Sequence, residues 1–192
     1  MEEIVYDSCT EAYNKLYIKL MMSKDNVEEE VKECTGIAFE IIHTSDILTL
    51  ISSLSDSEAH YRNKTSRLSS LGQEYVGDVM NCKTINGIII AKQLNKKIKE
   101  LDKVTFIDVG FNLFNVANPV HPLIGYEFIL RKNYINIISI FKEMNLDKLT
   151  DYIYIARYIQ KHAAMKLHVK TGSMFFYIGL LTMYSDFIKG VI

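Results

Sequence analysis

The sequence predicts an α+β domain built around a mixed β-sheet. Segments with helical spacing of apolar residues alternate along the chain with β-rich runs, which favours parallel strands joined by helices. Two β-rich runs, 123–131 and 134–141, are instead separated by only two residues, the spacing of an antiparallel hairpin. A chain of 192 residues, 48% of them hydrophobic and 23% charged, suits one compact domain, which we take as 1–192.

Composition argues against several classes of protein. With 22 Lys and Arg against 23 Asp and Glu, the chain has no basic surplus that would favour a nucleic-acid partner. The longest nearly apolar stretch, Met174–Tyr184, is shorter than the roughly 20 residues of a membrane-spanning helix. The acidic start, Met1-Glu2-Glu3, is also unlike a secretory signal. We therefore expect a cytoplasmic protein with no membrane partner.

Common catalytic and metal-binding motifs are absent from the sequence. The 3 cysteines have no C-x-x-C spacing, and no two histidines have the i,i+4 spacing of a zinc-binding helix, so no metal site is predicted. There is no Walker loop, G-x-G-x-x-G or G-x-S-x-G. Heavy use of Ile, Lys, Asn and Tyr resembles an AT-rich coding bias, which fits a phage or a bacterium with such a genome.

The first quarter of the chain predicts a helix, a strand and a helix. Ser8 and Glu11 form a capping-box pattern, and apolar residues then follow at i, i+3, i+4 and i+7 from Tyr13. Residues 36–43 alternate as in a strand. Residues 47–54 return to helical spacing and predict the second helix.

In the middle of the chain, a segment with little periodicity of apolar residues is followed by a segment rich in lysine. Residues 55–87 are Ser-rich and polar, which predicts an ordered polar excursion on the surface with little regular structure. Residues 88–101 repeat apolar side chains at helical spacing and carry lysines on the other faces, typical of a helix with a solvated side. A strand is predicted over 104–111, and the prolines of 118–122 predict a turn with a fixed backbone.

The last third predicts a hairpin, a helix and a strand. Lys132-Asn133 joins the hairpin strands, and Asn tolerates the positive φ that such turns use. A helix is expected to begin near Thr150 or Asp151, either of which can cap it. Residues 173–184 are apolar on both faces, so this strand is expected at the centre of the sheet with both faces covered.

Five short motifs occur in order between about Ile37 and Tyr184. They are Tyr75-Val76-Gly77, Gln93-Leu94, Pro119-Val120-His121, Phe141-Lys142-Glu143-Met144-Asn145 and Gly179-Leu180-Leu181-Thr182-Met183-Tyr184. Their order and spacing resemble the thymidylate synthase and pyrimidine-nucleotide hydroxymethylase family. Members of that family carry a Tyr-Gly before a Q-L helix, a P-C-H turn, a hairpin ending in Q-R-S-x-D and a last strand written G-D-x-H-x-Y. The resemblance implies a thymidylate-synthase-like mixed sheet.

The same resemblance implies that the catalytic groups of the family are missing. In the family a cysteine thiolate attacks C6 of the pyrimidine, and arginines hold the substrate phosphate. Val120 occupies the nucleophile position and cannot attack. Lys142 replaces the arginine of Q-R-S and lacks its planar fork, and Glu143 replaces the serine with a carboxylate that repels phosphate. No catalytic residue is therefore expected.

Five residues remain as candidate pocket residues through the resemblance. They are Asp46, at the position of a proton-handling Glu, His121, Lys142, Asn145, in place of the family's Asp, and Tyr184. Four of them also have a structural interpretation. His121 suits a turn held by backbone hydrogen bonds, Tyr184 can direct its hydroxyl to solvent, Asp46 can be a first-turn carboxylate favoured by the helix dipole, and Asn145 can be a loop residue.

Two functional hypotheses follow from the resemblance. The first is a non-catalytic partner of an active homologue, or a regulatory or binding subunit, with a nucleotide as the candidate ligand and no cofactor. Family enzymes pair through their sheets, so we expect at least a dimer, either homomeric or with a related chain. The alternative is a divergent C5-methyl- or hydroxymethyltransferase of pyrimidine nucleotides that uses reduced folate with Asp46, His121 or Asn145.

Overall fold

The computed structural model describes residues 4–23, 25–26, 31–81, 123–131 and 133–184. The described residues form six strands and four helices. In chain order these are β1 (Ile4–Ser8), α1 (Cys9–Met21), β2 (Asp25–Asn26), β3 (Val31–His43), α2 (Ile47–Ser53), α3 (Glu58–Asn81), β4 (Leu123–Arg131), β5 (Tyr134–Asn145), α4 (Leu146–Leu167) and β6 (Lys170–Tyr184).

The strands form one mixed sheet, as the sequence predicts. The order across the sheet is β1-β3-β6-β5-β4, and the short β2 pairs with the start of β3. The pairs β1/β3 and β5/β6 are parallel, whereas β3/β6 and β4/β5 are antiparallel. Arg131 pairs with Tyr134, which confirms the two-residue hairpin connection. The central position predicted for residues 173–184 is also confirmed, because β6 lies between β3 and β5.

The first helix begins where the capping pattern predicts. The side-chain oxygen of Ser8 accepts a hydrogen bond from the backbone N–H of Glu11 at 3.1 Å. In return, the Glu11 carboxylate accepts one from the backbone N–H of Asp7 at 2.8 Å. These bonds satisfy amide donors that a helix start otherwise leaves unpaired. In the apolar stripe of α1, Leu16 and Leu20 are fully buried and Tyr17 is partly buried.

Helices α1 and α4 pack on the same face of the sheet. Helix α1 contacts β1 and β3, helix α4 contacts β5 and β6, and the two helices also contact each other. Beneath them, the ring of Phe176 stacks on Phe39 with the centroids 5.1 Å apart and lies near Phe141 at 6.3 Å. Full burial of an aromatic side chain of this size contributes about 1.5–3 kcal/mol, so this face of the sheet holds the helices in place.

The opposite face of the sheet remains partly exposed. Phe175 and Tyr177 of β6 point to this side, next to Ile138 and Ile140 of β5, with which they pair. The side chain of Tyr177 is 45% exposed. The expectation that both faces of this strand are covered is therefore wrong at Tyr177.

The polar stretch 55–87 is largely helical where the structure describes it. Residues Glu58–Asn81 form the 24-residue helix α3, so the expectation of little regular structure there is wrong. Its contact face is narrow: Leu68 is buried, Leu71 is partly buried, and Gly72 lies against the ring of Tyr158 on α4. Because so few apolar residues make this contact, the apolar periodicity of the segment is weak. Packing against α4, and not the intrinsic helix propensity of the sequence, stabilises α3.

Helix α4 begins earlier than the sequence predicts. Asn145, not Thr150 or Asp151, is its N-cap, and the Asn145 side chain accepts a hydrogen bond from the backbone N–H of Asp147 at 3.2 Å. The strand β5 therefore runs directly into the helix. Four sequence-based predictions lie outside the described residues: the helix at 88–101, the strand at 104–111, the turn at 118–122, and with it the positions of Val120 and His121. Among the described helices, none combines the length and the apolar character that crossing a bilayer requires.

Candidate functional site

The parallel pair β5/β6 provides the place in this fold where a ligand site is expected. Helix α4 connects the two strands, so the carboxyl ends of both lie side by side at one edge of the sheet. In open sheets of this kind, ligands bind beyond the carboxyl ends of parallel strands. The register places Asn145 opposite Thr182 at that edge.

A glycine controls how β5 and β6 approach this edge. A Cβ added to Gly179 would lie 2.5 Å from the backbone oxygen of Lys142. The buried positions of β6 are Met174, Phe176 and Ile178 before this point, and Leu181 and Met183 after it. The buried positions of β6 therefore change phase at Gly179, so different positions of the strand are buried before and after this glycine.

The ends of the strands border a cleft of about 530 Å³, which we call the strand-end cleft. That volume lies within the range of small-molecule sites, roughly 300–1,000 Å³. Its walls combine polar residues of the strands with residues from the first turns of α4. The residues used below are Glu33 of β3, Glu143 and Asn145 of β5, Thr182 and Tyr184 of β6, and Asp147, Lys148 and Tyr152 of α4.

The charged groups that line the strand-end cleft are mainly acidic. Glu33, Glu143 and Asp147 contribute three carboxyl groups, against the single ammonium of Lys148. The ammonium of Lys148 lies 3.2 Å from Oδ2 of Asp147. The other oxygen, Oδ1, is buried and has no hydrogen-bond partner among the described residues. The cleft therefore offers acceptors more readily than donors, which suits neutral or cationic groups better than a phosphate.

Two of the candidate residues from the sequence come together in this cleft. Asn145 and Tyr184 both line it, and the side chain of Tyr184 is 60% exposed. Because the Asn145 oxygen caps α4, its N–H₂ group is the part that can contact a ligand. Lys142 directly precedes Glu143 on β5, and it is exposed and absent from the lining of the cleft.

Asp46 lies elsewhere and holds together two helices. Its Oδ1 accepts a hydrogen bond from the backbone N–H of Cys9 at 3.1 Å, so the residue before α2 binds the start of α1. Partial burial opposes its ionisation, but hydrogen bonds from Thr10 and Cys9 outweigh that effect and lower the pKa of Asp46. The structural interpretation expects the Asp46 carboxylate at the start of the helix that follows it, α2. The carboxylate lies instead at the start of α1, and the side chain does not cap α2.

The cysteines in the described part of the chain do not supply a nucleophile to this cleft. Cys9 is fully buried, and burial, followed by the charge of Asp46, strongly raises the pKa of its thiol. A thiol needs a lowered pKa to react as a thiolate near neutral pH. Cys34 is partly exposed on β3, and its Sγ lies 3.9 Å from the backbone oxygen of Lys19.

Several residues of the strand-end cleft were not predicted from the sequence. Asp147 and Lys148 were missed because the helix was expected to start later. Asn145 with an acidic residue two positions on is itself a helix-start pattern that could have located them. Glu33 gave no local signal, since only the antiparallel pairing of β3 with β6 brings it opposite Thr182.

Comparison with known proteins identifies no family for this chain. No protein-family model matches the sequence, and no curated protein shows significant similarity to it. Among the described residues, no three side chains of His, Cys, Asp or Glu converge as potential metal ligands. The described residues define an α/β protein with a mixed sheet, helices on one face and an acidic cleft at the ends of its parallel strands.

Proposed function

We propose that this chain is a thymidylate-synthase-like protein that lacks the cysteine nucleophile and the phosphate-binding arginines, and that acts as a non-catalytic partner or binding subunit. The observation that carries the proposal is the acidic lining of the strand-end cleft. Glu143, at the position of a phosphate-binding serine by the resemblance, lines the cleft together with Glu33 and Asp147. Carboxylates at this position repel a nucleotide monophosphate.

The order of the elements supports the resemblance on which the proposal rests. The family pattern implies a hairpin, a helix and a last strand, and β4, β5, α4 and β6 follow in that order. By the resemblance, Asn145 and Tyr184 belong to one pocket, and both line the strand-end cleft. The position of Val120 supports the proposal through the sequence alone, because the turn at 118–122 lies outside the described residues.

The exposed face of the sheet supports the dimer that the proposal includes. Its exposed apolar side chains include Tyr177, with the partly exposed Phe175, Ile138 and Ile140 beside it. With strands about 4.8 Å apart and residues rising about 3.3 Å, a five-stranded face covers roughly 600–800 Å². A typical stable interface buries about 800 Å² on each partner, so a second sheet could cover this face. The second sheet would come from another copy of the chain or from a related active chain.

A divergent C5-transferase remains the second candidate function, and one observation favours it. The strand-end cleft is large enough for a small molecule, and the N–H₂ group of Asn145 and the partly exposed carboxylate of Asp147 line it. An amide donor and a carboxylate acceptor can together recognise a pyrimidine edge. Reduced folate would supply the one-carbon unit in such an enzyme.

A transfer assay distinguishes the two functions. The purified chain is incubated with dUMP or dCMP and reduced folate, alone and together with an active family enzyme from the same source. We expect no C5 transfer by the chain alone. Transfer by the chain alone at a rate above that of a heat-denatured sample would reject the non-catalytic proposal and favour the divergent enzyme.

A further inference from the structure

One side of α3 carries a stripe of polar residues. His60, Asn63, Lys64 and Arg67 follow at i, i+3, i+4 and i+7, and therefore lie on one side of the helix. The stripe is mostly exposed, since only Lys64 of the four is partly buried. Here it borders a cleft of about 460 Å³, which we call the helix cleft.

The helix cleft contains a cationic group that is largely withdrawn from water. The side chain of Lys64 is only 18% exposed, and its ammonium lies 2.9 Å from the carboxylate of Asp151, whose side chain is 10% exposed. Arg67 contacts the other oxygen of Asp151 through Nη2 at 3.3 Å. Burying such an ion pair contributes little to stability, because desolvation offsets the attraction. The contacts join α3 to α4 and fix the positions of these charges at the wall of the cleft.

The donors of the helix cleft outnumber its acceptors. Lys64, Arg67 and Lys148 carry permanent positive charge, against the carboxylates of Asp147 and Asp151. The contact between Arg67 and Asp151 uses one nitrogen of a guanidinium group that has five N–H donors. The side chain of Arg67 is 63% exposed, so a ligand can reach its remaining donors from solvent.

The remaining walls of the cleft suit the rest of a small molecule. Tyr13 and Leu54 provide an aromatic ring and an apolar side chain. Burial, followed by the charges of Asp147 and Tyr17, raises the pKa of Tyr13 to about 12, so its hydroxyl stays protonated at neutral pH. The side chain of Asp147 is 39% exposed, and its carboxylate can accept a hydrogen bond from a hydroxyl group.

We propose that the helix cleft binds a small phosphate ester, with its phosphate on Arg67, His60 and Lys148 and a hydroxyl group of the ligand on Asp147. A tetrahedral phosphate accepts several charge-assisted hydrogen bonds at once, and cationic side chains of α3 and α4 border this cleft together. This site is separate from the acidic lining of the strand-end cleft, although Asp147 and Lys148 border both. The proposal does not depend on the thymidylate-synthase-like function.

The test is titration of the full chain with glycerol 3-phosphate, inorganic phosphate and glutarate, followed by NMR and calorimetry. We expect chemical-shift changes centred on residues 60–67 and 147–151, with tighter binding of glycerol 3-phosphate than of either other anion. Equal affinity for glutarate would overturn the assignment to phosphate. Shift changes scattered over the surface lysines would show an unspecific charge effect and overturn the site.

Matched variants on one helix separate a built site from general surface charge. Arg67→Gln is expected to weaken binding of glycerol 3-phosphate about tenfold, since a charge-assisted hydrogen bond is lost. Arg62 lies on the same helix, pairs with Glu58 at 2.9 Å and does not line the helix cleft, so Arg62→Gln should change the affinity less than about twofold. Equal losses in both variants would reject the proposal. Asp147→Asn should abolish the preference for glycerol 3-phosphate over inorganic phosphate, and an unchanged preference would contradict the role of Asp147.

Discussion

Oδ2 of Asp46 accepts two hydrogen bonds from a single residue, Thr10: one from its backbone N–H at 2.9 Å and one from its hydroxyl at 2.6 Å. Together with the bond from Cys9, the carboxylate satisfies two of the amide donors at the start of α1. Asp46 precedes α2, so this contact joins two helices that are distant in sequence. The geometry gives the residue a structural role and leads to the first two predictions.

Asp46→Asn is expected to lower the free energy of unfolding by about 1–3 kcal/mol. The amide has one acceptor oxygen in place of two and no charge, so charge-assisted bonds are lost from a partly buried site. Urea denaturation monitored by circular dichroism measures the change. Asp56→Asn is the matched control, because the Asp56 side chain is 93% exposed, and it should change the value by less than about 0.5 kcal/mol. Equal effects of the two substitutions would contradict the assigned role.

The contribution of Asp46 should disappear in acid. Its folded-state pKa is lowered, whereas the unfolded value is about 3.9, so the stabilisation is fully present above the unfolded pKa and is lost as pH falls through the folded one. The difference in unfolding free energy between the native chain and Asp46→Asn should be constant above about pH 5 and shrink below about pH 4. A difference that stays constant to pH 2.5 would show that ionisation of Asp46 is not involved.

Gly179→Ala should destabilise the protein by about 1–3 kcal/mol, because the added methyl group meets the backbone oxygen of Lys142, which cannot move without disturbing β5. Thermal unfolding gives the measurement. Thr171→Ala serves as the control, since Thr171 is exposed at the start of the same strand. A melting temperature for Gly179→Ala that matches that of the control would indicate that the strands are farther apart than described.

Neither dUMP nor dCMP should bind in the strand-end cleft of the native chain with a Kd below about 1 mM. Two missing phosphate contacts, at roughly 1.5–3 kcal/mol each, weaken binding by about two to four orders of magnitude, and Glu143 adds repulsion. Val120→Cys restores a thiol but no phosphate contact, so it should change neither affinity nor C5 transfer. Isothermal titration and a folate-dependent assay on both proteins provide the data. Micromolar affinity in the native chain that is unchanged by Arg67→Gln would place the nucleotide in the strand-end cleft and move the divergent enzyme to first place.

Tyr177→Lys should shift the chain from dimer towards monomer, since it places a charge in the apolar face of the sheet that the proposed dimer buries. Light scattering and sedimentation at tens of micromolar measure the mass. Met165 on α4 is 67% exposed and lies away from that face, so Met165→Lys should leave the mass unchanged. A monomeric native chain would remove the homodimer from the proposal and leave pairing with a related chain to be tested.

Local patterns in the sequence determined the elements that are stabilised locally. The capping pair Ser8 and Glu11 located α1, the short spacing of 123–131 and 134–141 predicted the hairpin, and the apolar run 173–184 predicted the central strand. Each of these three patterns arises from contacts between residues that are close in sequence, or from the burial of a whole segment. For these reasons a single sequence was enough to predict a mixed sheet with packed helices.

Tertiary structure alone decided where the side chains meet. Helix α3 is held against α4 by few apolar residues, so its pattern in 55–87 was too weak to predict it. The register of β3 against β6 brings Glu33 to Thr182, and the contact between α3 and α4 brings Lys64 to Asp151, although both pairs are far apart in sequence. Such pairings depend on strand register and helix packing, which the spacing of residues along a chain does not encode locally. The early start of α4 at Leu146 differs from these pairings, because it had a local signal: Asn145 ends β5 and caps the helix through the backbone N–H of Asp147.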